Sequence, residues 1–391
     1  MFHSKKQQNF WITPLFLLTY IVLCGSVIIF PYKIYDSDSS AYSYIAQKLS
    51  FLPIREWCAP EWWEHGSNIG LFQDHPPGIL WVTALFIRAG VPGPSAAFCA
   101  NFLYIFLCLY FLYRLTSYFG GSALGWGAVF AYIFTPIFLQ YLIRANHEVP
   151  LNLAIIAGIY WLARSEESWR YKALFIISLV FAVFVKGISA LVLAMLAFLY
   201  WIMFFRKRHT LLLIIIASFF TLAVMFLFEI WYRNTTYGVA FWLNYLSLQG
   251  GGAIGAGFNP LQKIYNIIWY LGRAILFPLP WVLFMLYGFY PSKKEKFDLR
   301  RDKFFQFCIG SSILIILFFS LFDRKADRYI FPAYSFLVLG GIWIVLHLRP
   351  NIRKFIEERK KLLPLYLCLI IVIFALIRIY VHSSHYRFIQ F

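Results

Sequence analysis

Charged side chains are scarce in this sequence. Asp, Glu, Lys and Arg make up 13% of the 391 residues, whereas 61% of the residues are hydrophobic. Water-soluble globular proteins are roughly 45–50% apolar and about 25% charged. No water-soluble packing would hide this much apolar surface, so the composition indicates a polytopic, all-α membrane protein. Because a bundle of spanning helices forms one unit, we expect a single transmembrane domain over residues 1–391.

Cysteine is also sparse. The six cysteines form no CxxC pair and no other metal-ligand spacing. Five of them lie in or beside apolar segments, where cysteine usually behaves as a small hydrophobic residue. Only Cys58 falls in a polar loop, and it therefore has no obvious disulfide partner.

Acidic residues number 17 against 35 Lys and Arg, which gives a net charge of +18. A basic excess can indicate nucleic-acid binding, but here 21 of the 35 cations fall in stretches that we predict to be cytoplasmic: 5–6, 114, 164–172, 206–208, 293–303 and 349–361. This is the positive-inside pattern of membrane proteins. The basic residues therefore determine the orientation of the helices in the membrane. We predict that the protein contacts membrane lipid and binds no nucleic acid.

Long apolar runs dominate the rest of the chain. They cover about 10–31, 95–115, 121–140, 149–164, 171–185, 187–205, 210–232, 264–290, 304–322, 328–348 and 362–382. A spanning helix needs roughly 17–25 apolar residues. The first run is too long for a signal peptide and lacks a small-residue cleavage site, so we predict an uncleaved first helix.

The run 76–89 is short, and its crossing decides the topology. If it crosses only partly, the basic loops all fall in the cytoplasm, as the positive-inside rule requires. We therefore predict eleven crossings and one partial helix, while an undetected break elsewhere would allow twelve. Residues 32–75 then form a first external loop with a helix over "SSAYSYIAQKL", and 233–263 form a second external loop. We expect no soluble C-terminal domain.

This topology gathers acids on the external face. Nine of the 17 acids lie there, at positions 36, 38, 56, 61, 64, 74, 148, 323 and 327. Orientation rules do not require acids on that face, so we expect a functional reason. The stretch "QGGGAIGAG" on the same face contains GxGxxG, but it lacks the strand and helix of a dinucleotide site and predicts a mobile loop instead.

Four short stretches carry the candidate chemistry. Asp36 and Asp38 either cap the external helix or supply a general base. Asp74 and His75 precede two prolines, which either simply begin a helix or hold these two side chains at the interface.

The other two stretches combine cations with acids. In "RANHEVPLNL", Arg144 and Glu148 are four residues apart and could simply pair with each other. Lys186, which lies further along the chain in "FAVFVKGISA", could simply extend its ammonium to the interface. In "DRKADRYIFP", Lys325 and Arg328 would suit a phosphate clamp if carboxylates already line the same cavity.

Several motifs together resemble the GT-C superfamily of membrane glycosyltransferases, in the branch of protein O-mannosyltransferases and lipid A aminoarabinose transferases. The motifs occur in the family's order between residues 36 and 332: "DSSAYSYIAQKL", "DHPPGILW", "NHEVPLNLAIIAGIYWLA", "VKGISAL", "LFPLPWVLF" and "DRKADRYIFP". One departure is that Asp38 is followed by Ser39 where the family often has Asp-Glu, so a second acid would come from Asp36 or Asp74.

The resemblance implies transfer of one sugar from a polyprenyl-phosphate donor to a lipid, glycan or protein acceptor, with inversion. It implies a bacterial inner-membrane enzyme whose active site faces the periplasm. Asp38 takes the place of the catalytic acid, and the remaining site residues follow in two groups. The donor phosphate would meet Lys325, Arg328, Arg144, Lys186 and His75. The sugar or acceptor would meet Tyr42, His147, Glu148, Tyr329, Trp62 and Trp63.

Three alternatives stay open. The tryptophans of the first external loop could form a plain interfacial belt instead of stacking on sugar rings. A divalent metal would find hard ligands among the acids and histidines, but no spacing specifies a site. A transporter or flippase of a lipid-linked or anionic substrate would also need charges in the membrane, although it places them near the midplane in broken helices.

Overall fold

The computed structural model describes residues 12–30, 37–62, 70–251, 259–288, 302–322 and 325–389. Within these ranges the chain is helical, apart from loops and one isolated bridge between Glu61 and Leu71. The helices are α1 (Ile12–Ile29), α2 (Ser37–Phe51), α3 (Gly78–Arg88), α4 (Gly93–Ile133), α5 (Pro136–Tyr141), α6 (Glu148–Ala163), α7 (Trp169–Lys186), α8 (Leu191–Tyr200), α9 (Arg208–Thr235), α10 (Phe241–Leu246), α11 (Pro260–Leu276), α12 (Trp281–Tyr287), α13 (Lys303–Ser320), α14 (Phe331–Leu348), α15 (Pro350–Arg359) and α16 (Leu363–Ile389).

The prediction of a polytopic helical membrane protein is confirmed. Six helical stretches of the described chain are long and apolar enough to cross a membrane: Gly93–Ile133, Trp169–Phe204, Arg208–Thr235, Lys303–Ser320, Asp327–Leu348 and Leu363–Val381. A seventh would be the pair α11 and α12, which is bent by 105°. Shorter apolar helices are Pro14–Ile29, Gly78–Arg88 and Glu148–Ala163.

Two of the long stretches are broken at a glycine. Gly121 interrupts α4 with φ of 83°, and Gly187 ends α7 with φ of 52°. Glycine adopts this left-handed region without the steric cost that a Cβ imposes. Both breaks fall between neighbouring runs predicted from the sequence, so each long stretch corresponds to two of the eleven predicted spans. The total number of crossings stays a prediction.

Helix α3 occupies the run whose crossing was in question. It has 11 residues, so it is about 16 Å long, roughly half the thickness of a bilayer's hydrocarbon core. A helix of this length cannot span alone. The partial helix predicted at 76–94 therefore fits the structure.

The centre of the bundle is formed by α14, which packs against α4, α6 and α13. Of the residues in the most apolar part of the span that contains α14, 89% are buried inside the bundle. The corresponding share for α9 is 28%. A buried polar contact joins the central helices, because Asn152 Nδ2 donates to Ser335 Oγ at 2.9 Å. Helix α9, whose apolar side chains are mostly exposed, therefore lies at the outside of this core, as a lipid-facing helix would.

The segment predicted as the first external loop contains helix α2, which covers the stretch predicted to be helical, while its side of the membrane stays a prediction. Its first turn is tied to the segment before α6, where Ala145 N donates to Ser39 Oγ at 2.8 Å. Ser39 Oγ in turn donates to the Ala145 carbonyl oxygen at 3.3 Å. This clamp brings Asp38 beside the start of α6.

Candidate active site

Asp38 lies between two arginines. Its Oδ2 accepts a hydrogen bond from Arg328 Nη1 at 2.6 Å and one from Arg144 Nη2 at 3.2 Å. All three side chains are about one quarter exposed, with values of 26%, 27% and 26% for Asp38, Arg328 and Arg144. In the described part of the chain both arginines contact the same oxygen, so Oδ1 can face a ligand.

A second ion pair lies deeper. Lys186 Nζ donates to Glu148 Oε1 at 2.7 Å, and their side chains are only 5% and 3% exposed. Arg328 Nε lies 3.8 Å from the same Glu148 oxygen. Arg328 therefore links the buried pair to Asp38, and the five charged groups form one network.

The ends of five elements supply these residues. Asp38 stands in the first turn of α2, Arg144 follows α5, and Glu148 begins α6. Lys186 ends α7, and Arg328 lies in the short 3₁₀ turn Asp327–Ile330 that leads into α14. All five positions were predicted to lie on the external face. Because polar groups are costly in hydrocarbon, helix ends are the places where a membrane protein can assemble such a network.

The network carries an excess of positive charge, since three cations surround two carboxylates. Charge-assisted hydrogen bonds are strong where solvent is restricted. Guanidinium groups also match the geometry of phosphate oxygens. The arrangement is therefore suited to a bound anion next to an ionised carboxylate.

An aromatic and histidine group borders the network. The rings of His75 and His147 are 4.1 Å apart between centroids, and Tyr42 makes an edge contact with His147 at 4.8 Å. Burial lowers the pKa of His147 well below its usual value, and the nearby His75 and Lys186 lower it further. Burial likewise raises the pKa of Tyr42 well above its usual value, with Asp38 adding to the effect. Both side chains are therefore neutral at pH 7.

Two further aromatic residues hold Lys186. Its ammonium lies 5.0 Å from the centre of the Tyr329 ring. The Tyr245 hydroxyl donates to the Lys186 carbonyl oxygen at 3.2 Å and accepts from Ile188 N at 3.1 Å. Tyr329 had been predicted from the sequence, whereas Tyr245 lies in the short helix α10, in a segment without a motif, and gave no signal. Ser39 was also missed, although its position after Asp38 in a Ser-rich turn could have suggested a clamp.

The structure corrects two simple alternatives. Arg144 does not pair with Glu148, because Arg144 contacts Asp38 and Glu148 contacts Lys186. Lys186 does not extend to the interface, because its side chain is buried. Sequence distance misled both interpretations, since the true partners come from other helices.

The other predicted residues that the structure describes make different contacts. The Asp74 side chain is exposed, and its backbone carbonyl oxygen accepts from Gln249 Nε2 at 2.9 Å. The Lys325 ammonium lies 4.2 Å from the centre of the Tyr265 ring of α11. Of the two cations predicted in this stretch, Arg328 is the one that contacts Asp38. Trp62 stacks on Phe72 at 5.3 Å. Asp36 and Trp63 lie outside the described residues.

Among the described residues, no three His, Cys, Asp or Glu side chains come together in a way that could hold a metal ion. The histidine pair and the nearest carboxylates make their contacts with cations and rings instead. We therefore assign no ligand set to the metal left open by the sequence.

The fold and the site together define a class of protein: a polytopic membrane protein with an ion-pair network at helix ends on one face. Comparisons then identify the fold. The chain shares its fold with the membrane proteins ArnT and AglB, which agrees with the resemblance found in the sequence. Residues 74–233 match the family model described as dolichyl-phosphate-mannose-protein mannosyltransferase. No curated protein matches the sequence.

Three solved structures illustrate this shared fold. ArnT from Cupriavidus metallidurans, bound to undecaprenyl phosphate, superposes with a TM-score of 0.64 and 12% identity, over 96% of this chain and 76% of ArnT. The oligosaccharyltransferase of Archaeoglobus fulgidus in the apo form gives a TM-score of 0.55 and 12% identity, over 98% of this chain and 56% of that one. The oligosaccharyltransferase AglB from Archaeoglobus fulgidus, in complex with an inhibitory peptide and a dolichol-phosphate, superposes with a TM-score of 0.50 and 12% identity. The superposition covers 97% of this chain and 56% of AglB.

Proposed function

We propose that this protein is a glycosyltransferase that moves a single sugar from a polyprenyl-phosphate donor to an acceptor on the external side of the membrane. The observation that carries the proposal is the contact of Asp38 with Arg144 and Arg328. It joins a carboxylate to phosphate-binding cations at helix ends in a GT-C fold. The ArnT and AglB structures hold undecaprenyl phosphate and dolichol-phosphate respectively, which supports a donor of the same chemical class.

The reaction needs two charged groups of opposite sign in one place. An acceptor hydroxyl oxygen attacks the anomeric carbon of the sugar while the bond from that carbon to the phosphate oxygen breaks. The polyprenyl phosphate leaves with the bonding electrons, and the acceptor loses its proton. Asp38 is positioned to take that proton through Oδ1, and the proton transfer occurs with the attack. A single displacement of this kind inverts the anomeric centre.

The leaving phosphate gains charge in the transition state, so fixed cations beside it lower the barrier. Arg328 and Arg144 already contact Asp38, and Lys186 stands one contact further in, against Glu148. Preorganised charges in a site with little water stabilise developing charge more strongly than they would in bulk water. Lys325, a half-buried residue three positions before Arg328, would extend this cation set toward the donor.

The sugar and the acceptor meet the aromatic side of the site. Tyr42, Tyr329 and the neutral His147 present rings and hydrogen-bonding groups without adding charge. Trp62 stacks on Phe72, whose ring in turn contacts Tyr42. Glu148 is committed to Lys186 and positions that lysine. A periplasmic acceptor such as a lipopolysaccharide, another polysaccharide or a protein fits an external site in a bacterial inner membrane.

The alternative of a transporter fits the geometry less well. Secondary transporters place their binding site near the bilayer midplane, at the interface of internal repeats. Here the charged groups lie at helix ends, and the central contact between Asn152 and Ser335 is uncharged. A transferase needs its site where a lipid-linked donor and an external acceptor can meet.

The purified full-length protein tests the proposal with a panel of polyprenyl-phosphate sugars and external acceptors. Asp38→Asn should lower turnover by roughly 10²–10⁴-fold, the usual contribution of a general base. It should leave binding of undecaprenyl phosphate at least as tight, because the substitution removes a negative charge that competes for the arginines. Arg328→Gln should weaken that binding.

A matched control changes an aspartate elsewhere to asparagine. Asp302 accepts from Phe305 N at 2.9 Å and caps α13. Asn caps helices equally well, so Asp302→Asn should keep wild-type turnover. Full activity of Asp38→Asn would rule out Asp38 as the base. Failure to bind any polyprenyl phosphate, or movement of the intact donor across the membrane without sugar transfer, would contradict the transferase itself.

A further inference from the structure

Helix α15 lies on the opposite side of the bundle from the candidate active site and plays no part in the proposed reaction. It joins α14 to α16, and the spans that contain both are long and apolar enough to cross a membrane. With both ends entering the membrane, α15 lies at the height of the lipid headgroups. The positive-inside pattern places it on the cytoplasmic side.

One face of α15 is anchored to the break in α4. Arg353 Nη2 donates to the Gly120 carbonyl oxygen at 3.3 Å. Ala123 N and Ser122 Oγ donate to the Glu357 carboxylate at 3.2 and 3.0 Å. The orientation of α15 about its own axis is therefore set by the bundle.

The face turned away from the bundle is apolar and exposed. Ile352 and Phe355 are 42% and 52% exposed, and they lie three residues apart on a single helix face. The guanidinium of Arg359 lies 4.0 Å from the centre of the Phe355 ring. The helix thus offers apolar side chains flanked by a cation to whatever surrounds the protein at this height.

The charge of this segment is strongly positive. Residues 349–361 contain six Lys or Arg and two Glu, and one of those acids, Glu357, already accepts from Ser122 and Ala123 beside the break in α4. An amphipathic helix with cations on its polar side lies in a membrane interface and attracts anionic lipids. Clusters of Lys and Arg next to a spanning helix have the same effect.

We propose that α15 and its flanking residues bind the headgroups of anionic phospholipids from the cytoplasmic leaflet. Phe355 and Ile352 enter the boundary between headgroups and acyl chains, and Arg359 and Lys360 contact the lipid phosphate. Because α15 is bonded to the break at Gly121, a bound anionic lipid also holds α4 to α14 and stabilises the whole bundle.

The test compares phosphatidylglycerol with phosphatidylcholine on the full-length protein in detergent. Native mass spectrometry counts bound lipids, and thermal unfolding with each lipid gives the change in Tm. Wild type should retain phosphatidylglycerol preferentially and gain stability from it. Arg359→Gln with Lys360→Gln should weaken this binding by roughly 25-fold, since each cation near an anionic surface contributes about fivefold.

A matched control removes the same charge from another loop predicted to be cytoplasmic. Arg170 and Lys172 are both exposed at the start of α7, and Arg170→Gln with Lys172→Gln should leave lipid selectivity unchanged. Phe355→Ser should also weaken binding while keeping every cation.

Three outcomes would overturn the proposal. Equal binding of the two lipids is one, and an equal loss in the control variant is another. Displacement of the lipid by millimolar inorganic phosphate alone would indicate a site for free anions instead of a lipid surface.

Discussion

Arg328 occupies a pivotal place in the site because it contacts both carboxylates. Its Nη1 reaches Asp38 and its Nε lies near Glu148, so one side chain joins the exposed part of the network to its buried part. A short charged motif in the sequence predicted Arg328 as a phosphate-binding residue, but it predicted Lys325 equally strongly. The 3₁₀ turn before α14 decides between them. It directs Arg328 toward Asp38, whereas Lys325 lies before the turn and over the Tyr265 ring.

His147 provides a pH test at the same scale. Its pKa lies well below 6.5 in the folded protein, whereas in the unfolded chain it returns to about 6.5. Below that pH the unfolded state binds the extra proton, so stability falls as pH falls, by up to about 1.4 kcal/mol per unit. Thermal unfolding between about pH 5 and pH 7 should therefore show a steeper loss for wild type than for His147→Gln.

The control for this measurement is Asn351→Gln, a change at an exposed side chain of α15 that does not titrate. It should keep the wild-type slope. Parallel slopes for wild type and His147→Gln would mean that His147 does not stay neutral in the folded state.

At the scale of elements, the site depends on how α6 and α7 meet. Glu148 begins one helix and Lys186 ends the other, and their ion pair is almost completely buried. α2 adds Asp38 through the Ser39 clamp to Ala145. The helices themselves were predictable from apolar runs, but these contacts were not, because a run of apolar residues does not specify which face meets a neighbouring helix.

The buried pair gives a prediction for the helices that it joins. Lys186→Met should cost about 3–5 kcal/mol of stability, since it leaves the carboxylate of Glu148 buried with less compensation. The double variant with Glu148→Gln should cost less than the single one, because no unpaired charge remains. Thermal unfolding of both variants checks the order, and a double variant that is less stable than Lys186→Met would refute it.

At the scale of the whole molecule, topology decides whether the site can work as proposed. The charge pattern places Asp38 outside and the loop before α7 inside. All six cysteines are free, and five of them are buried, so a new exposed cysteine can report the side of the membrane that it faces. Arg55, whose side chain is 83% exposed, lies on the predicted outer face, and Lys172 is exposed on the predicted inner one.

An impermeant maleimide applied to intact cells should therefore label Arg55→Cys and spare Lys172→Cys. In inverted membrane vesicles the labelling should reverse. Wild type provides the background. If Lys172→Cys reacts in intact cells, the orientation is inverted and the proposed external acceptor must be abandoned.

The sequence by itself determined the class of protein, the positions of the apolar helices and the candidate acids and cations. These follow from local properties, because a hydrophobic run or a proline pair acts on its own neighbourhood. The tertiary structure decided which charges meet. Asp38 finds Arg144 across 106 positions and Arg328 across 290, while the nearer pair of Arg144 and Glu148 does not form. Such partners depend on the packing of helix ends in three dimensions, and spacing along the chain carries no information about it.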